Sequence, residues 1–92
     1  MKIFQSGLFS RQAKKLHKNE KAALDQEVKK ICQDVYIGTQ KTGDLKGIFV
    51  LKFKTTQYLL SYRFKNGILE LIAMGTHKNY YRQVKNYLKS RA

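Results

Sequence analysis

Lys52, Lys54, Arg63 and His77 are the residue types that a metal-independent cleavage of a phosphodiester requires. An imidazole has an unperturbed pKa of about 6.5 and can carry a proton either way near neutrality. In such a reaction a base withdraws the proton of a ribose 2′-OH and the oxygen attacks the adjacent phosphorus. Fixed cations then stabilise the developing charge, and an acid protonates the departing 5′-oxygen. Tyr80 or Tyr81 offers a ring for stacking on an unpaired base. Lys78, Arg82 and Arg11 add cations suited to a phosphate backbone.

Each of these residues also has a plainer reading. Arg63 can pair across strands with Glu70, worth about 0.2–1 kcal/mol. Lys52 and Lys54 can be solvated strand residues that discourage edge aggregation. His77 can be a turn or cap residue, and Tyr81, spaced with Val84 and Leu88, can belong to a core. His17, among Lys14, Lys15 and Lys18, reads as a helix-end residue interacting with the helix dipole.

The chemistry needs elements that bring distant residues together. Phe9, Ala13 and Leu16 recur at helical spacing, with Ser10 as the expected N-cap. A second helix from Glu20 carries Leu24, Val28, Ile31 and Val35 on one stripe, with Lys21, Glu27, Lys29 and Lys30 outside, and joins the first near Asn19. Cys32 falls within this pattern and reads as a small buried hydrophobe. Gly38 and 41-KTGDLKG-47 mark a loop.

Beyond Gly47 the period shortens to two. In 48-IFVLKFK-54, Phe49, Leu51 and Phe53 share one side; in 57-QYLLSYRFK-65, Tyr58, Leu60, Tyr62 and Phe64 do the same. The dipeptide 66-NG-67 favours a type I′ turn, which pairs Lys65 with Ile68, Arg63 with Glu70 and Ser61 with Ile72. One sheet face is then apolar and suited to the two helices, while the other carries Lys52, Lys54, Ser61, Arg63 and Glu70. A short strand within residues 1–6 and a helix over 79–91, capped by Thr76 or Asn79, complete the order. The expected fold is α+β: two N-terminal helices packed on a small antiparallel sheet, followed by a C-terminal helix.

Ninety-two residues without proline or low-complexity segments fit one domain, 1–92. Nineteen Lys and Arg against six Asp and Glu give a net charge of +13, which points to a polyanionic or acidic partner. The longest apolar runs, such as 71-LIAM-74, are too short to span a bilayer, and MKIFQSG lacks a signal peptide's apolar centre. A cytoplasmic protein without a membrane partner is expected. A single cysteine fits a reducing compartment, and the spacing of His17, Cys32 and His77 suggests no metal; no cofactor is expected.

The ordered set FSRQAKKL, 43-GDLKGIFVLKFK-54, 58-YLLSYRF-64, the NG hairpin and 69-LELIAMGTHKNYYRQVK-85 resembles toxins of the RelE/ParE superfamily from bacterial type II toxin-antitoxin systems. The resemblance implies an acidic antitoxin, partly disordered when free, and a toxin-antitoxin hetero-oligomer. RelE-like and YafQ-like members cut messenger RNA on the ribosome, whereas ParE-like members poison DNA gyrase. The segment 75-GTHKNYY-81 is similar to the YafQ-type ending, which implies proton transfer by His77 and substrate placement by Tyr81. YafQ-type chains carry further histidines and an aspartate near the central strands, where this chain has Gln57 and Tyr58, so the general base stays open, with Lys52 or Lys54 as substitutes. Three readings follow: a ribosome-dependent mRNA endoribonuclease, a gyrase inhibitor without nuclease activity, and a non-toxic basic binding module.

Overall fold

The computed structural model describes residues 2–53 and 58–90, and for residues 44, 77–81 and 90 the backbone alone. Five strands, β1 (Lys2–Gln5), β2 (Thr39–Gln40), β3 (Phe49–Lys52), β4 (Leu59–Lys65) and β5 (Ile68–Gly75), form one sheet in the order β1-β5-β4-β3-β2. Helices α1 (Gly7–Lys14) and α2 (Lys18–Gln33) follow β1, and α3 (His77–Ser90) follows β5. The sheet is mixed: β1 runs parallel to β5, and the other pairs are antiparallel. A parallel partner was not visible in β1's short run, because its neighbour is chosen by where α1 and α2 return the chain.

The β4–β5 hairpin turns at Asn66 and Gly67, both with positive φ (55° and 76°), as a type I′ turn demands. Near the turn the expected register holds, with Lys65 opposite Ile68 and Arg63 opposite Glu70. Farther along it shifts by one residue: Tyr62 faces Leu71, Ser61 faces Ala73, and Ile72 is the extra residue of a bulge. The Ser61–Ile72 pairing is thereby corrected. Because every residue of 71-LIAM-74 is apolar, alternation could not specify which face each takes.

Two helix ends satisfy backbone groups around the bulge. Ser6, buried, donates its hydroxyl to the Ile72 carbonyl at 2.5 Å and accepts from the Phe9 N–H at 2.9 Å, so it caps α1 in place of Ser10. The Gln12 side chain accepts from the Met74 N–H at 2.8 Å and donates to Gln83 of α3 at 3.0 Å. Asn19 lies inside α2, whose first N–H groups follow His17, with the Glu20 carboxylate accepting from the His17 N–H at 2.9 Å. His17 thus stands at the helix's N-terminal end, where the dipole disfavours a cation.

On one face of the sheet, Phe9 of α1 and Leu24 and Ile31 of α2 cover Phe49, Phe53, Leu60, Tyr62, Leu69, Leu71 and Met74. Glu27, expected outside, is buried, since positions 24, 27 and 31 share one side of the helix, and it pairs with Lys30 at 3.0 Å. Cys32, expected inside, is exposed: one residue past Ile31 turns it about 100° away from the stripe.

The opposite face corrects the main structural expectation. It is no open basic platform. Ile48, Val50, Leu59, Ile72 and Ala73 are buried there beneath Val84 of α3, with Leu8, Tyr87 and Leu88 packed alongside. The described residues therefore form three layers, helices on both sides of a mixed sheet, with a core on each face. Ser61 sits wholly inside the second core, its hydroxyl without a hydrogen-bond partner among the described residues. Among the described residues no helix is long and apolar enough to cross a membrane.

Candidate functional site

The ladder fixes where the proposed reactive residues stand. Lys52 closes β3 opposite Leu59, and Leu59 lies opposite Gly75, two residues before His77. Two strand spacings put the Lys52 and Gly75 backbones roughly 10 Å apart. Lys52 follows Val50 on the α3 side of the sheet and is exposed, with no ion-pair partner among the described residues. His77 is the first residue of α3, neither inside a turn nor preceding the helix. The first turn of α3 has no acidic residue, so its backbone N–H groups and dipole favour an anion at this end.

Arg63 lies elsewhere. It is four residues along β4 from Leu59, roughly 13 Å, at the hairpin end of the sheet. Its guanidinium donates from Nε (2.9 Å) and Nη2 (2.6 Å) to Oε1 of Glu70, and the Tyr87 hydroxyl of α3 donates to Oε2 of the same carboxylate. Glu70 is buried. The plainer reading of Arg63 is therefore realised, and Tyr87, which spacing alone did not single out, completes the cluster. The fold thus does not bring Arg63 to the strand end that holds Lys52 and His77.

Arg82 is exposed on α3, with Lys85 and Lys89 exposed at the following helical spacings. That cationic stripe was legible in 78-KNYYRQVKNYLK-89 as Lys78, Arg82, Lys85 and Lys89 recurring at four, three and four. Arg11 lines a groove between α1 and α3 with Gly7, Leu8, Gln83, Asn86 and Tyr87. Lys54 lies outside the described residues, as do the side chains of His77, Lys78, Tyr80 and Tyr81. Gln12, also missed, ties α1 both to Met74, three residues before His77, and to α3.

Comparison with known proteins gives a family match over residues 3–85, described as a ParE-like toxin of type II bacterial toxin-antitoxin systems. No curated protein sequence matches the chain. Among solved structures, a free-state arginine-to-alanine double mutant of the E. coli toxin RelE is similar, with a TM-score of 0.76 and 14% identity over 98% of this chain and 95% of that one. A chain of the intact E. coli RelBE toxin-antitoxin complex superposes with a TM-score of 0.73 and 14% identity, covering 84% of this chain and 96% of that one. Isolated E. coli RelE in a P21 crystal form gives 0.70 and 16%, over 92% and 96%. At these identities the likeness establishes the shared fold.

Proposed function

Since the chain belongs to the ParE-like toxins of bacterial type II toxin-antitoxin systems, we propose that it acts as a ribosome-dependent mRNA endoribonuclease that blocks translation in the cytoplasm. The observation that supports this reading is the register in which Lys52 lies opposite Leu59 and Leu59 opposite Gly75, two residues before His77 opens α3, at the same end of the sheet. A base takes the proton of a ribose 2′-OH as its oxygen attacks the adjacent phosphorus, a 2′,3′-cyclic phosphate forms as the P–O5′ bond breaks, and an acid gives the leaving 5′-oxygen a proton. His77 carries that proton transfer, and Lys52 stabilises the charge on the phosphoryl oxygens. Arg82, Lys85 and Lys89 hold the flanking backbone. Arg63, committed to Glu70, serves the fold.

The partner is an acidic antitoxin. A chain charged +13 is complemented by such a protein, and the fold is shared with a chain of the RelBE complex.

Mapping of RNA 5′ ends after brief induction tests the reading. New ends within ribosome-bound messages, absent with His77→Ala, are expected; full toxicity of that variant, or intact messages, removes the nuclease mechanism. Inhibition of DNA gyrase is a second reading, favoured by α3's cover over the sheet face that a nucleic acid would otherwise occupy. It predicts blocked supercoiling with message intact.

A further inference from the structure

We infer that Gln12 is a positioning residue for His77: one side chain on α1 grips the end of β5 and the body of α3 together, and so fixes the backbone corner that carries His77. The inference rests on the proton-transfer role given to His77 above.

β1 accompanies β5 only as far as Leu71, whose carbonyl accepts from the Ser6 N–H at 3.0 Å. Up to that point the β1-facing carbonyls, Gly67 and Leu71 among them, belong to alternate residues. The bulge at Ile72 changes that parity. The Ile72 carbonyl also faces α1, where it accepts from the Ser6 hydroxyl at 2.5 Å, and the Met74 N–H follows on the same side two residues later. β1 has ended by then, and Gln12 takes the place of a strand, its Oε1 accepting from the Met74 N–H at 2.8 Å.

A backbone N–H can meet only an acceptor, so this bond fixes which way the Gln12 amide faces and turns its Nε2 toward α3. There it donates to Oε1 of Gln83 at 3.0 Å. Glutamine suits the position because one tip carries both an acceptor and a donor; methionine, close in length, offers only a weak acceptor. The two bonds close a loop from Met74 to Gln83 that contains His77. Gly75 and Thr76 separate Met74 from His77, and Gln83 lies about 9 Å farther along the helix. The base of this brace is firm: Phe9, one turn before Gln12 on α1, is 1% exposed in the first core, and Ser6 caps the same helix. The bond from Tyr87 to Glu70 also holds α3, but a turn farther from His77, toward the hairpin end of the sheet. Misplacing a reacting group by about 1 Å can cost 10²-fold in rate. The near tie therefore bears on chemistry and the far one on stability.

The test measures kcat and KM of the full chain and its variants on message held in programmed ribosomes, with amide exchange and thermal midpoints alongside. Gln12→Met breaks both bonds, and Gln83→Met breaks the one to α3 alone. Both should lower kcat about 10–10²-fold with KM at the parental value, and both should speed amide exchange at Val84. Exchange at Met74 should rise about tenfold, the scale of one hydrogen bond, in Gln12→Met and stay parental in Gln83→Met. Gln83→Glu keeps an acceptor for Nε2 of Gln12 and should cleave as the parent does. Tyr87→Phe loses a hydrogen bond at the far end of the helix and should lower the thermal midpoint with kcat unchanged. The inference is overturned if Gln83→Met keeps the parental kcat, if Gln83→Glu is as slow as Gln83→Met, if Tyr87→Phe slows cleavage as much as Gln12→Met, or if the loss falls on KM. Failure of the nuclease reading looks different: the parent leaves message intact, or His77→Ala cuts as the parent does. Amide exchange still reports on the brace in that case, and parental exchange at Val84 in both methionine variants overturns the inference by itself.

Discussion

The two ends of the sheet treat their cations differently. At the hairpin end, Arg63 is held by two hydrogen bonds to Glu70, and α3 adds Tyr87 to the same carboxylate. At the other end, Lys52 stands exposed beside the start of α3 with no ion-pair partner among the described residues. A cation already satisfied by a buried carboxylate must surrender that bond to meet a phosphate, whereas a solvated lysine surrenders only water. Charge of the same sign on neighbouring strands thus serves the fold at one end and remains available for a ligand at the other.

The largest test of this contrast is at the open end. His77→Ala should lower RNA cleavage by about 10²–10⁴-fold, and Lys52→Ala by about 10²-fold, both with thermal midpoints near that of the parent, measured on ribosome-bound message and by calorimetry. At the closed end the pattern should reverse. Arg63→Ala removes two hydrogen bonds to the buried Glu70 carboxylate and should cost about 1–3 kcal/mol of stability by denaturant unfolding, with cleavage per folded molecule changed far less than by Lys52→Ala. Equal loss of cleavage from Arg63→Ala and Lys52→Ala would erase the distinction between the ends.

Smaller effects probe the two cores. Tyr62, fully buried and stacked on Phe49 at 5.4 Å, donates to the Val35 carbonyl at 2.9 Å and accepts from the Gly38 N–H at 3.0 Å, fastening the segment after α2 to the sheet. Burial raises its pKa above 10.0; the Gly38 hydrogen bond opposes this and the charge of Asp34 adds to it. With the folded pKa above the unfolded one, its contribution is whole below about pH 10 and is lost as pH climbs through the folded value. Tyr62→Phe should cost about 1–2 kcal/mol at neutral pH and flatten stability against pH above 10.0, as followed by chemical denaturation across that range. Smallest of all, Ser61→Ala removes a buried hydroxyl that lacks a partner among the described residues and should leave stability unchanged or raise it by up to about 1 kcal/mol.

Gly38 shows why the segment ahead of β2 resisted reading. A Cβ there would meet the Tyr62 hydroxyl at 2.8 Å and the Val50 carbonyl at 3.0 Å, so the glycine allows close approach to a residue 24 positions away. In the sequence it marks only a loop. The Arg63–Glu70 pair was legible because a two-residue turn counts outward residue by residue. Tyr87's share in it was not, since that contact depends on how α3 crosses the sheet.

By itself the sequence determined the helices, the central strands, the turn at Asn66 and Gly67, the pairing nearest that turn and the strong positive charge, because each follows from local periodicity, backbone stereochemistry or composition. Only the tertiary structure decided that β1 lies parallel to β5, that Ile72 bulges, that α3 buries the second face and that, among the described residues, Arg63 has an ion-pair partner while Lys52 has none. Those outcomes depend on segments far apart in the chain competing for the same surfaces, and a uniformly apolar run such as 71-LIAM-74 carries no alternation to indicate which of them wins.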